Sequence, residues 1–417
     1  MERNIVLYIF STIVVTLGGI VYTFAISYFI LEETGSPLYF SINTAIMSIG
    51  AILSLPISGV LVDSWDKKKI IIFLETLSFI TLLLLTIYIS IFGFNVSFLF
   101  AITAVRSIII PIISNAFDAS LTQLFDKESI QKTLGKIATY ETSISLLGPI
   151  LAGVLYGFLT LQAMVTVFLI MQLLSVFANI FLNFKSRKNE STNIEADVQI
   201  ESWFKKFIAK LTVGFKYITK SETLLKLLIL SLVINFVGAA SFSVLPETIM
   251  IKELNFDATQ VGIVSAIFGL GSLLGSLSLS KITIKNPLKI VRTSFVYISV
   301  LLLSFTLPVY YEINTITSMI YIALIGLTMA FVFQFINISI SSYLQKTVSD
   351  EYKGRVFSTN STIGMILLPI GTVTFGFLYE NGIYFSVNLF SSIIILITIF
   401  FTLNKHILSR SVKEYNN

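Results

Sequence analysis

Long stretches of hydrocarbon side chains, each closed by a short cluster of charged or turn-forming residues, set the rhythm of the chain. Crossing a bilayer as a helix takes about 20 apolar residues. Twelve runs meet that length: about 5–31, 38–62, 69–92, 97–122, 133–158 and 162–184, then about 223–250, 259–281, 288–310, 315–343, 354–379 and 383–404. The pattern predicts an all-α membrane protein of 12 transmembrane helices. Its breaks carry turn chemistry, as in "EETGSP" (Glu32 to Pro37) and "YENG" (Tyr379 to Gly382). The break "GVLVDSWDKKKIII", Gly59 to Ile72, places two carboxylates, a tryptophan and three lysines between apolar runs.

The longest break, 185–222, divides the chain into an N-terminal six-helix bundle (1–184) and a C-terminal one (223–405), followed by a tail (406–417). The linker starts polar and then reads "WFKKFIAKLTVGFKYITK", where Trp203, Phe207, Leu211, Phe215 and Ile218 recur at helical spacing among lysines. Such a basic amphipathic helix is expected to rest on the inner leaflet or on the bundle. The halves also echo each other: "LLGPILAGVLYGFL" from Leu146 resembles "LLPIGTVTFGFLYE" from Leu367. Two pseudo-symmetric bundles are therefore expected, with a substrate site between them near the midplane. The Gly271–Gly275 spacing in "GLGSLLGS" suits close helix contact.

Composition agrees with lipid as the main solvent. Of 417 residues 55% are hydrophobic and 12% charged, and the mean hydropathy is +0.88; soluble domains carry about 25% charge. The first apolar run is too long for a signal-peptide core and is read as a retained helix. There is no cysteine and a single histidine, His406, which excludes disulfides and thiolate chemistry and leaves no cofactor or metal set to expect. Sorting basic residues by loop puts 26 of the 28 on one side, with Lys252 opposite and Arg106 inside a helix. The positive-inside rule then places both termini in the cytoplasm. The net charge of +5 is thus topological and calls for no nucleic-acid partner.

Gly59, Asp63 and Lys67–Lys68–Lys69, in the turn between the second and third helices, resemble the signature loop of the major facilitator superfamily. "GPILAG" (Gly148, Pro149, Gly153) resembles the Gly-Pro motif of its antiporter branches, and Arg106 stands where members carry a basic residue. "YFILEETGS", "AVRSII" and "EYKGRVFS" are similar to its macrolide-efflux and siderophore-exporter branch. The likeness covers essentially the whole chain, except that the corresponding second-half loop lacks the acid. It implies the major facilitator fold and a monomeric carrier in a bacterial cell membrane. It also implies a conformational latch in which Asp63 faces Gly354 and Arg355 at the start of the eleventh helix, with Asp118 and Glu75 supporting the basic loops.

Ionisable groups at membrane depth are costly, so Arg106 and Glu141 are functional candidates. Arg106 lies about nine residues into its helix and Glu141 about eight into the next, which at about 1.5 Å per residue is a common depth. They could pair, with Glu141 as the proton carrier. Tyr22, Asn43, Asn115, Asn235, Gln334 and Asn337 are candidate cavity residues, with aromatic help from Phe331, Phe333 and Phe335. No phosphate-binding loop is present, so an ion gradient is the expected energy source. The expected function is proton-coupled export of a lipophilic small molecule of drug or macrolide type, with no enzymatic activity. A siderophore exporter and a lysolipid transporter are the alternatives.

Overall fold

A computed structural model describes residues 2–184, 196–311 and 313–416, and every regular element among them is helical. The first half contains α1 (Glu2–Thr34), α2 (Pro37–Ser64), α3 (Lys67–Phe92), α4 (Val96–Leu124), α5 (Lys127–Phe158) and α6 (Leu161–Ile180). The linker helix α7 (Ala196–Lys220) leads into α8 (Glu222–Ser243), a single turn α9 (Leu245–Glu247) and a wide π-turn (Thr248–Glu253). Then come α10 (Ala258–Ser280), α11 (Pro287–Ser304), the short α12 (Leu307–Tyr310), α13 (Thr315–Thr347), α14 (Asp350–Glu380), α15 (Tyr384–Thr402) and α16 (Lys405–Asn416). Among the described residues 11 helices are long and apolar enough to span a membrane. The pair Leu211–Lys220 and Glu222–Gly238, bent by 118°, makes the number 12 if it counts as one broken span. The molecule is an all-α multi-pass membrane protein of two pseudo-symmetric six-helix bundles.

The helices stop where the sequence breaks. Gly35 and Gly382, in the two turn motifs, take φ of 61° and 71°, a region where a side chain would clash with the backbone. Asp66 caps α3 by accepting from the Lys69 amide at 3.0 Å. Outward faces stay greasy: Phe158 is 85% exposed and Phe92 71%, as suits helices solvated by lipid tails.

Contacts group the chain into two compact units, Met1–Phe29 with Ile46–Phe207, and Ile30–Ala45 with Ile208–Asn417. In the first, α3 packs between α4 and α6 around Val62, Ile70, Ile71, Leu74, Ile109, Ile112 and Ala116. A Cβ on Gly50 would strike Ser107 of α4, and one on Gly148 would press on Ile20 of α1. In the second unit Gly271 and Gly275 bring α10 against the Leu327 and Phe331 carbonyls of α13, the close contact expected from their spacing. Gly371 brings α14 onto the Phe236 carbonyl of α8. The two echoing segments thus do the same work in each half: a glycine beside a helix-interior proline, Pro149 or Pro369, seats the fifth helix on the first.

Two elements pack more tightly than an amphipathic pattern requires. The second half of α7 docks on α14: Gly214 abuts the Arg355 carbonyl and Thr359, Thr359 Oγ1 donates to the Leu211 carbonyl (3.2 Å), and Tyr217 stacks on Tyr352. Ile218 is 2% exposed, whereas Phe215, expected on the same face, is 45% exposed. The side chains of Trp203 and Phe207 lie outside the described residues. The tail folds back as α16, burying Ile407, Ser411 and Tyr415, with Tyr415 hydrogen-bonded to Ser342 (2.7 Å) and under the Lys346 ammonium.

Candidate functional site

The most polar interior lies in the first unit, where two helices present matching stripes. On α3 the polar positions Glu75, Ser78 and Thr81 recur every third residue, and on α6 Gln172, Ser175 and Asn179 do so at helical spacing. All six are buried. Positions three and four apart share a helix face, so the stripes meet along the α3–α6 contact.

One end of this seam holds Arg106, reaching in from α4 at 3% exposure. Its Nη1 donates to the Ser78 carbonyl (3.1 Å), Ser78 Oγ (2.9 Å) and, more weakly, Thr81 Oγ1 (3.4 Å). The guanidinium carbon lies 5.2 Å from the Tyr22 ring centre and 5.1 Å from that of Phe168, so two π-faces share the cation. Gly18 makes this possible, because a side chain there would collide with Phe168. Arg106 Nε has no hydrogen-bond partner.

The other end holds Glu75, 2% exposed. Its carboxylate accepts from Asn179 Nδ2 (2.6 Å) and from Ser175 Oγ (3.1 and 3.2 Å), and Ser175 in turn bonds Ser11 of α1 (2.8 Å). Among the described residues no cation stands within ion-pairing distance. Lys68 instead donates to the Leu182 carbonyl at 2.7 Å, capping the end of α6, and Arg3 and Asn4 hold the Phe181, Leu124 and Asn183 carbonyls nearby.

Arg106 and Glu141 are not brought together. Glu141 is exposed on α5, as is Asp118 on α4. Equal depth along two helices does not fix the direction in which each side chain points, and here it differs. The Asp63 side chain lies outside the described residues, as therefore does the latch expected of it. Arg355 is engaged with Glu351 (3.9 Å) and lies over Tyr352, a Cβ on Gly354 would point into open space, and Gly59 is partly buried in α2. Lys67 and Lys69 sit on the first turn of α3, and Gly153 is buried in α5.

The cavity candidates are scattered. Asn115 donates to Ser58 Oγ (2.9 Å), Asn235 donates to the Ser231 carbonyl of its own helix, Asn43 is buried, Gln334 is partly buried beside Gly275, and Asn337 is exposed. Phe331 and Phe335 line a groove of about 430 Å³ between α11 and α13, with Tyr297 opposite and Lys289 at its rim; Phe333 instead meets Phe242. Glu380, not singled out from the sequence, accepts from Ser36 Oγ (2.8 Å) and the Leu38 amide (3.1 Å), capping α2 from the end of α14.

Comparison with known proteins follows the same lines. A family model described as "Major Facilitator Superfamily" matches residues 8–372. The macrolide efflux protein A of Streptococcus pyogenes is 22% identical over 351 residues, covering 84% of this chain and 82% of that protein. The protein of the same name from Enterococcus faecalis is 23% identical over 318 residues, covering 76% and 93% respectively. Among solved structures, the nucleoside transporter NupG superposes with a TM-score of 0.71 at 16% identity, over 97% of this chain and 98% of that one.

Proposed function

The chain belongs to the major facilitator superfamily, and from that premise we propose that it exports a lipophilic small molecule of the macrolide or drug type. Export is driven by proton antiport and proceeds by alternating access, as a monomer in a cell membrane with both termini in the cytoplasm. The observation that carries this reading is the likeness, over most of the chain, to relatives named for macrolide efflux. The seam supports the choice of guest. Its cation is wrapped by Tyr22 and Phe168 and its Nη1 is held by Ser78, so the surface beside it is largely aromatic.

A second reading has one observation in its favour. Among the described residues no carboxylate pairs with Arg106, and an unpaired cation suits an anionic guest such as a citrate- or catechol-type siderophore. Counterflow in proteoliposomes separates the two. Export of a lipophilic guest expects macrolides or hydrophobic dyes to exchange and siderophores not to; exchange of siderophores alone would reverse the assignment.

A further inference from the structure

Glu75 is buried in a way that a structural role does not require. Glu75 and the three side chains around it, Ser11, Ser175 and Asn179, are each at most 3% exposed. A glutamine could accept and donate in the same places without burying charge. Only a carboxyl brings an exchangeable proton. A buried, unpaired carboxylate is strongly disfavoured unless it takes up a proton or an opposite charge.

Its hydrogen bonds describe one of two possible states. Asn179 turns its amide nitrogen to Glu75 Oε2, as fits a charged acceptor, and this leaves Asn179 Oδ1, on a residue 1% exposed, without a donor. Protonating Glu75 and turning the amide over would give that oxygen the carboxyl O–H as donor. The same side chains thus accommodate both forms of the acid, the amide presenting its nitrogen to the carboxylate and its oxygen to the carboxyl O–H.

The charged and titratable groups on the surrounding helices leave Glu75 without a fixed counter-ion. On α6 there are none. α4 brings Arg106, whose donors go to Ser78, one turn along α3 from Glu75, and the exposed Asp118. From α1 come Tyr8, wedged between Phe117 and Phe125, and Arg3 at the helix start. On α3 itself Lys68 is tied to Leu182, and on α2 Asp63 lies outside the described side chains.

We propose that Glu75 is the proton-binding group of the transport cycle, with Asn179 as its orienting partner. This rests on the proton-antiport reading above. The step is cleavage of the Glu75 O–H bond: the electron pair stays on the carboxylate and the proton passes to water.

The test uses the purified full-length chain and the macrolide or dye that wild type exchanges in counterflow. If binding expels one proton, wild-type affinity should rise by up to about tenfold per pH unit over the range in which Glu75 is protonated in the free protein, and level off once it is ionised. Glu75→Gln should bind and exchange the same compound with no such slope, and should lose accumulation driven by a pH gradient. Glu75→Asp should restore both. Infrared difference spectra of wild type should show a protonated-carboxyl band vanish on substrate addition, and Glu75→Asp should move that band, which keeps the idea testable if Glu75→Gln does not fold. A wild-type pH slope and gradient-driven accumulation retained in Glu75→Gln would overturn the assignment while leaving antiport standing. A wild type with neither slope nor gradient response would overturn antiport itself, and the assignment with it.

Discussion

Arg106 and Glu75 show how far a single residue can be read from sequence. The Arg106 charge at membrane depth was legible, because such groups are rare among runs of Ile, Leu and Phe, whereas Glu75 was expected to support the basic loops and Glu141 to be the acid at that depth. The partners of neither were legible. Arg106 binds Ser78 and Thr81, and serines and threonines in membrane helices satisfy themselves so often on their own preceding turn, as Thr76 does on Ile72 and Thr86 on Leu82, that nothing marks the ones that serve another helix. The spacing of Glu75, Ser78 and Thr81 on one helix against Gln172, Ser175 and Asn179 on another was the available signal. Because Ser78 gives the guanidinium its best-placed side-chain acceptor, Ser78→Ala should destabilise the protein by about 1–3 kcal/mol. Thermal unfolding in detergent measures this, and an unchanged midpoint would mean that water takes the vacant place.

At the scale of elements, the sequence located almost every helix, since the length of an apolar run and the turn residues that close it are local properties. It did not foresee the break after α8, where Pro246 and the π-turn Thr248–Glu253 interrupt an apolar run of uniform appearance. It left open whether α7 rests on lipid or on the bundle, and did not point to α14, because an amphipathic face announces that something covers it without saying what. Gly214 is the close point of that contact, so Gly214→Leu should free the 211–220 segment, raising its hydrogen exchange relative to α14; unchanged protection would contradict the contact. Glu380 caps α2 by joining two residues 344 positions apart, Ser36 and Glu380, a pairing invisible to any local pattern. Glu380→Ala should cost about 1–2 kcal/mol, within the range of lost helix caps, and Glu380→Gln, which can still accept from Ser36, should cost less on the same thermal assay.

For the whole molecule, hydropathy and the one-sided placement of lysine and arginine fixed the class and the expected topology, because both follow from the bilayer and not from packing detail. The internal echo also held: Gly148–Pro149 and Pro369–Gly371 seat equivalent helices in the two halves. Contacts group the tip of the first hairpin, Ile30–Ala45, with the second unit, a grouping that no repeat in the sequence marks. The proposed function is a property of this scale, since it couples proton entry to substrate exit through the same chain. The most direct test is to load proteoliposomes carrying the wild-type protein with a labelled macrolide and impose an acidic exterior. Efflux should accelerate with the gradient and return to the passive rate when a protonophore collapses it. Efflux at the same rate with and without the gradient would contradict proton-driven export.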